Sequence, residues 1–376
     1  MAKLTDYVSY QDAQSHFSRQ ALWDLFDGSH ERMNIAHECV DRHVANGGVA
    51  IRIAHADGAD EIIDFKTLKI VSSQFAHYLR ANGVAPGDRV AIMLEPTLAF
   101  YAALFGSMKA GAVAAPMFTA FGPDGIRLRV DDCQPKLMIT NPEKAAEASF
   151  EGGPDVVVAD ATFMAHLDDF NEYFAWETAA DDLAVLQYTS GTTRLLPEAV
   201  RHTHKSIVTL MIAGLYASGI RPGDRLFCPS SPAWGHGLWH GTLAPLALGV
   251  STGTFSGKFE PVRFLEALSG FQISNLSAAA THYRMIRISG RAEDFAYKIK
   301  KLSFTGEPID SETAAYVEAL FGAKVCSMYG TTEIGVIRAN YPGADDLEVR
   351  EGSLGKPVPG VEVEVHDAAG NACAAG

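Results

Sequence analysis

Apolar residues along this chain follow two rhythms. From Thr67 to Asn82 they recur at helical spacing. The turn Ala85-Pro86-Gly87-Asp88 then leads into an unalternating apolar run, Arg89 to Leu94. The exchange repeats: the spacing predicts a helix over Pro96 to Ala110, a strand ending at Met117, a helix over Asp124 to Asp132, and strands over Lys136 to Thr140 and Asp155 to Ala159. Strands apolar on both faces, alternating with helices, predict a parallel sheet covered on both sides. Residues 1–60 carry weaker signals of helical segments and short strands.

The acidic, weakly patterned stretch Phe170 to Asp182 reads as a linker. A second alternation follows, with strands at Leu183 to Tyr188, Arg225 to Pro229, Val250 to Phe255, Ile273 to Ser277, Lys301 to Thr305 and Lys324 to Met328. Helices over Lys205 to Ser218 and Ser311 to Phe321 lie between them. After Pro342 the character changes, and the alternation Val361-Glu362-Val363-Glu364-Val365 predicts antiparallel strand. The chain therefore reads as α/β, with two doubly wound αβα subdomains in series (residues 1–175 and 176–340) and a β-rich subdomain over 341–376.

Composition narrows the function classes. The 376 residues carry 31 Lys+Arg against 45 Asp+Glu, a formal net charge of −14, with 47% hydrophobic residues. That balance belongs to a globular protein and argues against non-specific nucleic-acid binding, which needs clustered basic residues. The most apolar run, Leu98 to Phe118, is broken by Lys109, Gly111 and Pro116, so no membrane span is expected. The N-terminus lacks the apolar core of a signal peptide. Cys39, Cys133, Cys228, Cys326 and Cys373 are scattered, with no C-x-x-C spacing, which fits a reducing cytoplasm and no zinc-type cluster.

Three segments carry candidate chemistry. Tyr188-Thr189-Ser190-Gly191-Thr192-Thr193 follows a buried strand and precedes a helix. Small hydroxyl residues around a glycine let backbone N–H and side-chain O–H groups wrap a phosphate. The segment is not a Walker loop, and by itself it also fits a Ser/Thr-rich turn. Met328-Tyr329-Gly330-Thr331-Thr332-Glu333 ends a predicted strand. There Tyr can stack on a base, Thr can bond a phosphate and Glu can hold Mg²⁺, or the whole can be a strand-end turn. Thr305-Gly306-Glu307-Pro308 ends another strand, where open α/β sheets bind ligands.

In this order, the three segments resemble the AMP-forming adenylating superfamily of acyl-CoA synthetases, luciferases and peptide-synthetase adenylation domains. Gly87-Asp88-Arg89-Val90-Ala91-Ile92, Lys109-Ala110-Gly111-Ala112-Val113 and Gly352-Ser353-Leu354-Gly355-Lys356-Pro357 extend the likeness over residues 40–370. The Gly306-Glu307-Pro308-Ile309 turn and the Trp234 segment look most like the acetyl- and medium-chain acyl-CoA synthetase branch. The resemblance implies a two-step ligase that uses ATP, Mg²⁺ and CoA. A carboxylate is first joined to AMP, and the acyl group then passes to the CoA thiol. It also implies a nucleotide and acyl site in residues 176–340 and the start of a small β-barrel subdomain after residue 341. Family members are often homodimers.

By resemblance, Thr189, Ser190, Gly191, Thr192 and Thr193 would hold the outer phosphates. Gly306, Glu307 and Pro308 would line the adenine and Tyr329 would stack on it, with Met328, Gly330 and Thr331 alongside. Thr332 would contact the α-phosphate and Glu333 would bind Mg²⁺, the two forming the catalytic pair. The acyl pocket would involve Ala233, Trp234, Gly235, His236, Gly237, Thr305 and Gly330. Trp239 is a further candidate that fits the core equally well, and His236 and His240 could touch a polar substituent, although histidines packed on a helix are the plainer reading.

Two departures stand out. The family loop usually continues T-G-x-P-K-G, whereas this chain reads Arg194-Leu195-Leu196-Pro197-Glu198-Ala199. A carboxylate beside a triphosphate is electrostatically unfavourable, so Arg194 is the candidate replacement cation, with Arg201 and Lys205 weaker ones. The family also continues past the equivalent of Gly376 with a ribose-binding Asp, a hinge and a mobile C-terminal lid that carries a lysine. The chain thus reads as a fragment holding most of the large N-terminal domain, expected to adenylate poorly alone.

The acetate-specific branch closes its pocket with an aromatic residue where this chain has Gly330, so acids larger than acetate are expected. Two other functions compete with this one. One is an adenylating enzyme that loads a carrier protein; the other is a non-catalytic homologue that binds nucleotide or acyl-adenylate. Glu198 and the missing lid motivate the second. Ser231 to Leu238 offers no Asp to hold an amino group, which argues against amino-acid activation.

Overall fold

A computed structural model describes residues 2–188 and 199–374. The strands in chain order begin with β1 (Val49–His55), β2 (Asp60–Asp64), β3 (Arg89–Met93), β4 (Val113–Pro116), β5 (Leu137–Thr140), β6 (Asp155–Val158), β7 (Leu183–Tyr188) and β8 (Ala199–Thr203). They continue with β9 (Arg225–Phe227), β10 (Ser251–Ser256), β11 (Asn275–Ala279), β12 (Lys301–Thr305), β13 (Val325–Thr331), β14 (Gly335–Ala339) and β15 (Lys356–Pro357). Among the described residues they form two sheets. One has the order β6-β5-β3-β4-β7-β8, the other β15-β14-β13-β12-β11-β9-β10-β1-β2.

The first sheet is parallel except for β8, which runs antiparallel to β7. Its two faces are covered by different elements, as doubly wound packing requires. Val90, Ile92 and Ala114 pack with Leu68, Phe75 and Leu79 of the helix Phe65–Ala81 and with the helix Leu98–Lys109. Ala91, Met93, Val113 and Met138 face the other way, toward Ile126 and Val130 of the helix Pro123–Cys133. The Asp64 carboxylate starts the helix Phe65–Ala81 by accepting the Thr67 N–H at 2.6 Å. Close packing of the two long helices depends on Gly106, where a Cβ would lie 2.8 Å from the Phe75 Cβ.

In the second sheet, β13, β12, β11, β9, β10 and β1 run parallel, while β2, β14 and β15 are antiparallel additions. Leu276, Ala278 and Leu302 form a separate core with Phe264, Tyr283 and Val317 of three covering helices. The parallel strands β11, β12 and β13 all present their C-terminal ends at one edge of the sheet. Thr305 and Thr331 lie there.

Sheet membership departs from chain order at both ends of the first unit. β1 and β2 join the second sheet, through β1 and β10. β7 and β8, which follow the acidic stretch, complete the first sheet. The alternating segment Val361 to Val365 forms no strand; near it, among the described residues, lies an isolated bridge from His366 to Ala372. A strand needs a neighbour to satisfy its backbone, and none runs alongside among the described residues. Among the described residues no closed barrel forms there. No helix among the described residues is long and apolar enough to cross a membrane.

Candidate active site

A cavity of about 980 Å³ opens at the C-terminal ends of β12 and β13. Such a position, outside the carboxyl ends of parallel strands, is where this sheet type binds ligands. One wall is the strand-end turn Thr305-Gly306-Glu307-Pro308, and the next is Met328 through Gly335. Opposite them runs the helical segment from Trp234 through His240, and His202 and Ser206 close another side.

The turn after β12 takes its shape from Gly306, whose φ of +94° lies in the left-handed region that favours glycine. A Cβ there would stand 3.1 Å from Cη2 of Trp234, so the turn and the indole touch directly. Pro308 has no N–H to satisfy, which suits this exposed bend. The Glu307 side chain faces away from the cavity chemistry. Its Oε1 accepts from the Thr281 hydroxyl and lies 3.8 Å from Arg284 Nη1. Glu307 therefore contributes backbone, with its carboxylate already committed.

Near the end of β13, Tyr329 lines the cavity and is 48% exposed. Met328 beneath it is buried. The Thr332 hydroxyl lies against Gly235, where a Cβ would be 3.4 Å away. The loop after β13 thus rests on the start of the helix opposite. Glu333 is exposed at the cavity. The nearby Thr331 hydroxyl, first, and the backbone N–H of Glu333 itself favour the ionised carboxylate. Together they hold it below the usual carboxylate range.

His236 is the most constrained of the predicted acyl-site residues. Its Nδ1 lies 3.0 Å from Ser230 Oγ and its Nε2 2.9 Å from Ser277 Oγ. Ser277 Oγ in turn accepts from Ser303 Oγ at 2.9 Å. The ring is buried, which drives its pKa well below the ordinary histidine value. With both nitrogens engaged, His236 ties the helix His236–Leu243 to β11 and β12 and supports the cavity wall without offering it a free polar atom.

Thirteen of the predicted positions meet in this cavity: Trp234, Gly235, His236, Thr305, Gly306, Glu307, Pro308, Met328, Tyr329, Gly330, Thr331, Thr332 and Glu333. Ala233 and Gly237 do not line it. The Ala233 carbonyl accepts from Gln187 Nε2 at 2.6 Å, which anchors the segment to the end of β7. Gly237 permits close packing, since a Cβ there would be 2.2 Å from the Ser231 carbonyl oxygen. Ala233 is thus held by the end of β7 and Gly237 by the Ser230–Ser231 backbone, so both are packing positions. Thr189, Ser190, Gly191, Thr192, Thr193, Arg194 and Glu198 lie outside the described residues. Of the alternative cations, Lys205 is paired with Asp181.

His202 is a cavity residue that the sequence reading passes over. It sits on β8 with its ring 4.4 Å from that of Trp239, and burial lowers its pKa to about 4. The signal was faint: β8 alternates weakly, with Arg201 exposed between two half-buried neighbours.

Glu333 passes a simple test as a magnesium ligand. No group of three or more metal-binding side chains occurs among the described residues. Magnesium needs no such group, because it binds through one or two carboxylates plus substrate phosphates and water. A single ionised, exposed carboxylate at the cavity rim meets that requirement.

Comparison with known proteins agrees with this geometry. The chain is 28% identical to the acetyl-coenzyme A synthetase of Bacillus subtilis (strain 168), over 96% of this chain and 66% of that protein. It is 28% identical to the 3-hydroxybenzoate–CoA ligase of Aromatoleum sp. (strain CIB), over 90% of this chain and 66% of that protein. The chain thus spans just under two thirds of the length of these relatives. The crystal structure of the Brucella canis acyl-CoA synthetase superposes with a TM-score of 0.91 at 27% identity, covering 98% of this chain and 70% of that one. The family model described as AMP-binding enzyme matches residues 41–376, more than half of the chain. By that match the chain belongs to the AMP-binding enzyme family.

Proposed function

We propose that this chain is the nucleotide- and acid-binding body of an AMP-forming acyl-CoA synthetase whose substrate is a carboxylic acid larger than acetate. The observation that carries the reading is convergence. Two strand-end turns far apart in sequence, after β12 and β13, meet the Trp234 helix around one cavity of about 980 Å³. The relatives' named activities, acetyl-coenzyme A synthesis and 3-hydroxybenzoate–CoA ligation, support an acid–thiol ligase.

In this reading the adenine lies on the backbone of Gly306, Glu307 and Pro308, with Tyr329 against its face. Met328, Gly330 and Thr331 border it. Thr332 donates to the α-phosphate. Thr189 through Thr193 hold the outer phosphates, with Arg194 supplying the positive charge that Glu198 does not. Glu333 would hold Mg²⁺, which when bound supplies charge neutralisation for the phosphates. The acid's carboxylate oxygen attacks the α-phosphorus and pyrophosphate leaves, giving an acyl-adenylate. The CoA thiol then attacks the acyl carbon and AMP leaves. The residues act by positioning and charge stabilisation, as adenylyl transfer requires.

The acyl group would extend between Trp234, Gly235, Thr305 and Gly330, with His236 behind the wall. The cavity of about 980 Å³ is far larger than acetate would fill, and each buried CH₂ adds ~0.8 kcal/mol. The proposal places the enzyme in the cytoplasm, in keeping with five free cysteines, and as a homodimer. The division into subdomains 1–175, 176–340 and 341–376 is part of the same proposal.

Carboxylate-dependent ATP–pyrophosphate exchange by the full-length protein tests the reading. Acids from acetate through hexanoate and cyclohexanecarboxylate to benzoate make up the panel. Exchange with a larger acid, well above that with acetate, is expected. No exchange with any acid, together with no AMP binding, would overturn it.

A further inference from the structure

The wall of the cavity opposite β12 and β13 contains one histidine with hydrogen-bonding capacity to spare. His240 follows His236 by four residues on the same helix, with ring centroids 5.8 Å apart. Both nitrogens of His236 are engaged by Ser230 and Ser277. Those of His240 make no hydrogen bond among the described residues, and its Nδ1 is sealed from solvent without a partner. His240 nonetheless lines the cavity. Nε2 is therefore the nitrogen left to meet whatever enters.

The protonation state follows from the surroundings. Burial lowers the pKa of His240 to about 4, so the ring is neutral near pH 7. A neutral imidazole carries one proton. A sealed N–H with no acceptor is the rarer and costlier arrangement, so the proton belongs on Nε2 and the lone pair on the closed Nδ1. The cavity wall thus presents at His240 an uncharged N–H donor, fixed on a helix, in a lining that also holds Trp234 and Trp239. A second carboxylate on the substrate would need a cation here. The cations of the lining, Lys324 and Arg350, belong to other walls: Lys324 precedes β13, at the far end of that strand from Thr331.

We infer that the acid this site activates carries an uncharged oxygen substituent on its acyl chain or ring, a hydroxyl, keto or ether oxygen, which accepts a hydrogen bond from His240 Nε2. The inference rests on the adenylate-forming reading above. An apolar acid of the same shape would leave that N–H unpaired in a dry wall. Sites built around such a donor reject the analogue lacking its partner far better than an apolar pocket rejects one methylene.

Non-hydrolysable acyl-sulfamoyl adenosines test this by titration calorimetry. The panel pairs hexanoyl, cyclohexanecarbonyl and benzoyl parents with derivatives bearing a hydroxyl or keto oxygen at successive carbons. The wild-type chain is expected to bind the best oxygenated member about tenfold more tightly than its parent. His240→Leu is expected to erase that preference, and His240→Gln, which keeps an N–H donor, to retain part of it. Wild-type binding that favours no oxygenated member overturns the inference, and this arm needs no variant to fold. A preference that survives intact in His240→Leu also overturns it. If the wild type binds neither the panel nor AMP, the adenylate-forming reading fails and takes this one with it. Binding of the panel without discrimination overturns this one alone.

Discussion

The carbonyl oxygen of Gly335 stands where a side chain on Gly330 would begin, since a Cβ built at position 330 would lie 1.9 Å from it. Across the β13–β14 pair Gly330 faces Val336 and Gly335 faces Thr331, just past the point where the register shifts between Tyr329 and Gly330. Glycine at 330 is thus required by the hairpin. A larger residue there would not simply plug the acyl space; it would push β14 off β13. Gly330→Ala is expected to cost ~1–3 kcal/mol of stability, as overpacking does. It should also move Tyr329 and the Thr331-Thr332-Glu333 loop together. Thermal unfolding and AMP affinity, measured on the same variant, should both fall. An unchanged melting temperature would show that the hairpin relaxes freely around the new methyl.

Tyr329 and Glu333 occupy the same loop but should fail in different ways. Tyr329 is half-exposed, so Tyr329→Ala removes little packing. Loss of base stacking costs ~1–3 kcal/mol per base in sites of this kind. AMP affinity should therefore drop by about tenfold or more, with little change in melting temperature. Glu333 is exposed and its carboxyl is held ionised. Glu333→Gln should leave AMP binding nearly intact but lower Mg²⁺-dependent ATP–pyrophosphate exchange at least tenfold in the full-length protein. Raising Mg²⁺ should recover part of the loss. Exchange at the wild-type rate would remove Glu333 from the metal site.

His236 predicts the opposite pattern, a stability defect that reaches the site indirectly. Its ring joins Ser230 and Ser277, and Ser277 holds Ser303. His236→Ala leaves these hydroxyls unpaired in a buried pocket and opens a void, at a cost of ~2–5 kcal/mol. Denaturant unfolding should show the loss directly. His236→Asn, which can still bond one of the two flanking serines, should recover part of it. A variant as stable as the wild type would mean that water replaces the ring without penalty.

Much of this architecture is legible in the sequence, for identifiable reasons. The apolar runs at Arg89 to Leu94 and Lys301 to Thr305 are central strands buried on both faces, and such strands show plainly in composition. The strand-end turns at Thr305 and Met328 are legible because their chemistry lies in consecutive residues. Other features depend on distant partners. β1 pairs with β10, about two hundred positions later in the chain, and local pattern carries no trace of that pairing. Ala233 and Gly237 read as pocket residues from their position beside Trp234. The contacts of Gln187 and Ser231 turn them inward instead. His202 reaches the cavity only because β8 folds back antiparallel on β7.

The buried histidines give the molecule a defined acid limit. His204 is fully buried, and its Nδ1 accepts the Ile35 N–H at 3.1 Å. Burial lowers its pKa to about 3, against ~6.5 in an unfolded chain. Between those values the unfolded state binds a proton that the folded state refuses. His204 therefore favours folding fully above pH ~6.5, and stability falls as pH drops toward 3, at ~1.4 kcal/mol per pH unit for this one site. His202 and His240, each lowered to about 4 by burial, act in the same direction. Glu38, whose carboxyl burial pushes upward, works against them but is common to wild type and variant. Asp64 and Asp310, held below the ordinary carboxylate range by hydrogen bonds from Thr67 and Thr313, contribute only at lower pH. Across pH 6.5 to 4.5 the difference between wild type and a His204 variant therefore isolates His204. Urea unfolding across that range should show stability falling with pH, and His204→Asn should fall less steeply by one proton's worth. Equal slopes for the two proteins would mean that His204 is protonated in the folded state and that its burial imposes no acid penalty.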